Sequence, residues 1–320
     1  MTRKLGAPAR AERPRIAILG AGGIGSFYGG LLARAGADVV FIARGPHLAA
    51  LHAHGLTVLR DDETFTVQPV TATDAPASVG AVALVLLATK AYDLDAALDA
   101  LQPLLDRETL VLPLLNGVDI VERVSARVPA AQVLAGLTYL PANRPRPGAV
   151  HQPGPQRRLI LGEAHGPATD RCRRIAQWLR DAGIRAETSD DMPAQIWTKF
   201  MLVTANGGVC GVTGSPIGAV LAHPDTRALY RDCCREVGAV AAACGVRLAP
   251  DAVEATLDHA DSTPPHNRPS LLQDLEAGRR LELDALHGTV VRLGRAREVP
   301  VPVNTFIYAA LKLRAAGRPG

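Results

Sequence analysis

Two lysines occupy positions where an ammonium group can take part in a reaction. The chain of 320 residues has 35 basic residues, and only Lys4, Lys90, Lys199 and Lys312 among them are lysines. A lysine retained in so arginine-rich a chain suggests a place where a compact, titratable cation matters, although four lysines can also be spread by chance. Lys90 closes the apolar run Ala81 to Thr89, and Lys199 lies inside Ile196-Trp197-Thr198-Lys199-Phe200-Met201-Leu202-Val203, among residues expected to face a core. Hydride delivery to a carbonyl carbon generates an alkoxide, which needs a positioned proton donor or cation, and a half-buried lysine supplies either. The competing reading of Lys199 is an aliphatic stem that carries its charge out to solvent. Asn116-Gly117 closes another apolar run, Leu110 to Leu115; an amide there can donate to a substrate or a cofactor ribose, or it can be a plain turn. Glu282 opens a late amphipathic stretch, where an acid ordinarily does no more than complement the helix dipole.

A second constellation, Gly20-Ala21-Gly22-Gly23-Ile24-Gly25, directly follows the run Arg15-Ile16-Ala17-Ile18-Leu19 and opens a helix-like stretch from Ile24 to Ala35. In a chain with 30 glycines the pattern alone is weak, and its place between strand and helix is what gives it meaning. Dinucleotide binding needs a tight turn at the first glycine and backbone close to the pyrophosphate at the second. It also needs close helix–sheet packing at the third, with N–H groups aimed at anionic oxygen. Gly20, Ala21, Gly22, Gly23, Ile24 and Gly25 are therefore read as a cofactor cradle, with a structural glycine turn as the alternative. The next apolar run, Val39 to Ala43, ends at Arg44, where NAD-specific sites usually hold an acid for the ribose hydroxyls. A guanidinium pairs with a 2′-phosphate and an acid repels it, so NADP(H) is the expected cofactor. The alternative is a solvated surface arginine.

These groups require elements to hold them. Short apolar runs at 16–19, 39–43, 81–89, 110–115 and 133–137 alternate with amphipathic stretches, the pattern of buried parallel strands joined by right-handed crossovers. Between Pro141 and Asp191 the texture turns loop-rich, with two further strands expected at 158–161 and 184–188 around an amphipathic helix at 170–182. After Asp190-Asp191-Met192-Pro193, a helix-start signature, the apolar spacing is helical at 196–203, 226–244, 281–293 and 305–314. The expected fold is α/β: a Rossmann-type domain over 15–190 followed by an all-α domain over 191–320. Residues 1–14, rich in Arg, Ala and Pro without periodicity, read as a disordered leader.

The formal charge of +4 is spread along the chain, which implies neither a nucleic-acid nor a membrane partner. No apolar run reaches the roughly 20 residues of a membrane span and no signal core is present, so the cytoplasm is the default address. The five cysteines lack paired metal spacing, so neither disulfides nor a metal site is expected.

Taken in order, Gly20 to Gly25, Arg44-Gly45, Thr89-Lys90-Ala91, Leu115-Asn116-Gly117, Ile196 to Phe200, Ser270-Leu271-Leu272-Gln273-Asp274 and Glu282-Leu283-Asp284 resemble the ketopantoate reductase (2-dehydropantoate 2-reductase) family. The resemblance spans Arg15 to about Leu313. It implies a Rossmann-type domain, a helical domain like the C-terminal domain of 6-phosphogluconate dehydrogenase, and NADPH-dependent reduction of 2-dehydropantoate to (R)-pantoate in pantothenate biosynthesis. Lys199 matches the family's proton donor, and Glu282 matches a late acid serving both catalysis and the cofactor. Lys90 and Asn116 match positions near nicotinamide and substrate, and Ser270 matches a contact to the substrate carboxylate. The implied partner is a small 2-oxo acid, with the oligomeric state open and a homodimer admitted. The chain departs from the family in one respect. Typical members carry asparagine four and eight residues after the lysine, whereas Val203 and Gly207 stand here, which leaves the oxo acid's side chain open. Asn206, seven residues on, returns to nearly the same helix face and is a candidate substitute, provided Gly207-Gly208 does not break the helix. Three other readings stay open: reduction of another branched 2-oxo acid, a non-catalytic regulator that senses NADP, and the same fold with another reaction, as in 3-hydroxy acid or opine-type dehydrogenases.

Overall fold

The computed structural model describes residues 14–317, and presence or count below refers to these. The leader expected over 1–14 lies outside them, apart from Pro14. The chain divides into two compact units, one formed by Met1–Leu115 with Ile120–Met192 and the other by Asn116–Asp119 with Pro193–Gly320.

The first unit is built on β1 (Arg15–Leu19), α1 (Gly23–Arg34), β2 (Asp38–Ile42), α2 (Gly45–His54), β3 (Leu56–Arg60), β4 (Thr64–Val67), β5 (Thr71–Thr73), β6 (Leu84–Leu87), α3 (Leu94–Leu101), β7 (Leu110–Pro113), α4 (Ile120–Ser125), β8 (Ala135–Tyr139), β9 (Ala149–Gln152), β10 (Arg158–Gly162), α5 (Asp170–Asp181) and β11 (Arg185–Thr188). A five-stranded sheet runs β5-β2-β1-β6-β7, with every pairing parallel. Its central strands are buried along their length, which is why they read as unbroken apolar runs rather than alternating ones. Register aligns Leu19 with Ile42 and with Leu87. Gly20, Arg44 and Lys90, which follow these strands, therefore leave the sheet at its carboxyl edge, where doubly wound folds take ligands.

One reading of the strands needs correction, and one sheet went unread. The run at 133–137 was expected to join the parallel sheet. Instead β8 pairs antiparallel with β10, and only a single parallel bridge, Val111 to Val133, touches β7. Apolar runs report burial and not the partner strand, so the two arrangements look alike in sequence. A third sheet, β4-β3-β9, carried no such signal, because the residues of β4 are not buried and β3 is only partly so.

The second unit consists of α6 (Met192–Thr213), α7 (Ile217–Ala222), α8 (Pro224–Ala243), α9 (Ala252–Asp261), α10 (Ser270–Glu276), a π-turn at Asp284–Gly288, α11 (Thr289–Ala296) and α12 (Pro302–Lys312) around its own apolar core. Gly207-Gly208 does not break α6, which runs unbroken for 22 residues. The single helix expected over 281–293 is instead a π-turn followed by α11, and Glu282 precedes that turn rather than opening a first helical turn. No described helix is long and apolar enough to cross a membrane, and no described group of His, Cys, Asp or Glu is arranged to hold a metal ion.

In the first unit, Glu163 at the end of β10 accepts from the Arg171 guanidinium, the Thr169 hydroxyl and the Cys172 thiol, and the arginine chiefly depresses its pKa to about 2. A depressed carboxyl stabilises the fold fully above its unfolded value near 4.5, and that contribution disappears as pH falls toward 2. Glu163→Gln is expected to lower stability by about 1–3 kcal/mol at neutral pH, with the gap from wild type narrowing below pH 4.5 in thermal melts. A gap independent of pH would refute the assignment.

Candidate active site

The glycine turn is shaped by the strand beside it. Gly20 has φ +104°, a left-handed conformation that favours glycine, and a Cβ there would lie 2.7 Å from the backbone nitrogen of Thr89 at the end of β6. Gly25 packs so tightly that a Cβ would lie 2.2 Å from the Gly20 carbonyl oxygen. Gly22 is different: the nearest atom to a Cβ there is the Ala88 carbonyl at 4.0 Å, so the space over this residue belongs to no protein group. Gly20 and Gly25 thus serve the protein's own packing, while Gly22 leaves room for a ligand at the amino end of α1, where backbone N–H groups favour anions. The buried Thr89 Oγ1 beside this turn has no hydrogen-bond partner, a polar atom that a bound cofactor would satisfy. These features fit a dinucleotide.

Arg44 stands exposed at the cap of α2, immediately before Gly45. One turn on, buried His47 accepts the Gly148 N–H at Nδ1 (3.0 Å), and its Nε2 lies 3.4 Å from the Ser26 hydroxyl. Ser26 in turn donates to the carbonyl of Ala21 within the glycine turn at 3.0 Å. Burial, reinforced by Arg144, pushes His47 down to about 4, so it serves as a neutral strut. The start of α2, and with it Arg44, is tied to the turn it would complement. Ser26 and His47 escaped the sequence reading because nothing distinguishes them locally from ordinary helix residues.

The second unit brings three of the expected residues together. Lys199 on α6 is only 8% exposed, and its Nζ donates to Asn116 Oδ1 at 2.9 Å. The segment carrying Asn116 is held by Val118, packed against the helical core, and by an ion pair from Asp119 to Arg292 of α11 at 2.8 Å. Burial pushes the lysine down to about 8, while the Glu282 carboxylate, itself 8% exposed, acts in the opposite sense. The result is a buried acid that titrates near neutrality, the range in which a group can hold a proton and also release it. Glu282 is thus more than the dipole partner its position suggested.

The remaining candidates are placed differently. Lys90 is half-buried and caps a short turn at Ala91–Asp93 in the first unit. Ser270, exposed, is the first residue of α10. Asn206 shares the Lys199 face of α6, but its Oδ1 accepts the hydroxyl of buried Tyr230 at 2.9 Å, so its carbonyl is committed to the core. At Gly207 a Cβ would meet the Cβ of Leu271 at 3.2 Å, so α10 has closed in where a side chain would project. Val203, partly buried, lies between Lys199 and Gly207 around the helix.

The family model described as ketopantoate reductase PanE/ApbA matches residues 16–166, and its C-terminal counterpart matches residues 191–315. A 2-dehydropantoate 2-reductase of Mesorhizobium japonicum is 33% identical over 95% of this chain and 98% of its own length. The crystal structure of a PanE/ApbA family ketopantoate reductase from Ralstonia eutropha JMP134 is similar with a TM-score of 0.86 and 34% identity, covering 94% of this chain and 98% of that one. A D-mandelate dehydrogenase solved with NADH and anilino(oxo)acetate is similar with a TM-score of 0.84 and 26% identity, covering 94% and 98% of the two chains. Two family models in order, over most of a chain whose units carry a dinucleotide-type turn and a buried lysine, place the protein in the ketopantoate reductase family of dinucleotide-dependent oxidoreductases.

Proposed function

We propose that this protein reduces 2-dehydropantoate to (R)-pantoate with NADPH, as a cytoplasmic enzyme of pantothenate biosynthesis. The observation that carries this reading is the buried ammonium of Lys199, held by Asn116 and brought by burial, against the opposing Glu282 carboxylate, down to about 8, the range of a working acid. Bound NADPH supplies a hydride to C2 of the oxo acid. The chain's own groups do the rest. Backbone N–H groups at the amino end of α1 would bind the pyrophosphate, Arg44 would pair with the 2′-phosphate, and Lys90 would add positive charge to the cofactor site. Lys199 stabilises the growing charge on the C2 oxygen, gives it a proton from Nζ, and recovers one from water. Asn116 fixes the direction of Nζ. Glu282 keeps the ammonium protonated to a higher pH than burial alone would leave it. The Ser270 hydroxyl receives the substrate carboxylate.

A second reading, reduction of other branched 2-oxo acids, is favoured by Val203 and by the Gly207–Leu271 contact. Both present carbon where hydrogen bonds to a substrate hydroxyl would otherwise be made. A D-mandelate dehydrogenase is among the similar solved structures, which supports such breadth in the fold.

Four outcomes test these readings. Lys199→Ala should lower kcat about 10³-fold while NADPH affinity, read by fluorescence titration, changes less than about threefold. In wild type, kcat for reduction should hold below pH 8 and decline above it, because the ammonium is the active form. Retained activity in the variant would sink the assignment. Arg44→Ala should weaken NADPH by about 10- to 100-fold and leave NADH nearly unaffected, as expected for losing a charge-assisted phosphate contact; equal losses for both would make Arg44 a bystander. If the second reading holds, kcat/KM for 2-dehydropantoate and for its hydroxyl-free analogue should differ by less than about 10²-fold. A preference of about 10⁴-fold for the hydroxyl would exclude it.

A further inference from the structure

One buried polar chain in the helical unit has no part in the chemistry above. His287, fully buried in the π-turn, approaches Asn304 Oδ1 of α12 through Nδ1 at 2.8 Å. Asn304, also fully buried, donates Nδ2 to Glu236 Oε2 of α8 at 2.8 Å and to the Cys233 carbonyl at 3.4 Å. Glu236 further accepts the N–H groups of Val303 and Asn304, at 2.7 and 2.8 Å, in the first turn of α12. Those two acceptors fix the amide's orientation, so its oxygen faces the imidazole and Nδ1 carries the proton. Nε2 faces the backbone of α6: the Thr204 carbonyl lies on that side, and a Cβ on Gly208 would lie 2.1 Å from the nitrogen. The groups around the ring are Thr204 and Gly208 of α6, Asn304 of α12, and Cys233 and Glu236 of α8 behind the asparagine. Burial pushes His287 down to about 4, so the imidazole is neutral at physiological pH.

The ring therefore rests on bare helix backbone, and one imidazole separates α6 from the π-turn. Gly208 is glycine because any side chain there would strike the ring and Ile307. The two elements so spaced carry the two ends of one electrostatic couple. Lys199 lies on α6. Glu282 leads into the π-turn, its carbonyl accepting the Leu286 N–H at 3.1 Å, while Leu283 accepts from Gly288 at 3.0 Å.

We propose that His287, seated on Gly208, is a positioning residue that holds the π-turn at the separation from α6 at which Glu282 faces the Lys199 ammonium. The proposal rests on Lys199 as the proton donor. Its test is the alkaline limb of the kcat–pH profile, which follows that ammonium; Glu282 is the charged group that opposes the effect of burial on it. Glu282→Gln, Gly208→Ala and His287→Leu should each lower the midpoint of the limb by about half a pH unit or more. Gly208→Ala should add nothing further in a Glu282→Gln background. NADPH titration and thermal melts establish that each variant is folded. If Gly208→Ala and His287→Leu both fail to fold, His287→Gln, which keeps a donor for Asn304 but not the ring, provides the comparison. Folded variants with a wild-type limb, or a Glu282→Gln limb that does not move, would overturn the proposal. Wild-type protein that turns over no 2-oxo acid would instead overturn the proposed function.

Discussion

A charged ammonium is costly to bury, and the helical unit is organised around doing so with Lys199. Burial alone disfavours the charged form; Asn116 and Glu282 restore part of what solvent would have provided. This balance leaves the residue able both to hold a proton and to release it. A fully solvated lysine would hold its proton more firmly, and one buried without partners would surrender it. The attachments of the neighbouring segment follow from the same requirement. Val118 and the Asp119–Arg292 pair hold a four-residue stretch, Asn116–Asp119, to the helices rather than to the sheet that precedes it in sequence. Without that attachment the amide could not meet the ammonium.

The parallel sheet meets a different constraint. Its strands end in register, and the same register that buries Leu19, Ile42 and Leu87 delivers the glycine turn, Arg44 and Lys90 to one edge. The side chains at that edge are thus placed by strands already fixed by packing. The Ser26–His47 contact refines this by tying the start of α2 to the turn, so that the position of the guanidinium depends on the position of the cradle.

Much of this was legible in sequence, for identifiable reasons. Both-face burial leaves unbroken apolar runs, so most strands of the parallel sheet could be found; a helix-period pattern marked the second unit; and the scarcity of lysine singled out Lys199. What escaped depends on information the sequence does not carry locally. The pairing of β8 with β10 is a choice of partner, and the β3–β4 hairpin is too exposed to leave an apolar signature. Glu282 was singled out by the family resemblance alone, because an acid ahead of a helix ordinarily faces solvent and nothing in its local sequence marks this one as buried. Asn206 lies on the expected helix face, as periodicity required, yet periodicity could not reveal that Tyr230 already engages its carbonyl.

The glycines make the same point from the opposite side. In the first unit a Cβ on Gly22 would meet no neighbouring element nearer than the Ala88 carbonyl at 4.0 Å. In α6, Gly207 and Gly208 admit neighbouring protein, Leu271 at one and the His287 ring at the other. In sequence the pair resembles a break in the helix, or a lost side chain at a substrate position. In the fold it is a close approach of Leu271 and the His287 ring to the backbone of α6. A glycine in a helix costs up to about 1 kcal/mol relative to alanine. Two adjacent ones are intelligible only if what they admit matters more, and in this unit what they admit are the elements that carry Ser270 and Glu282.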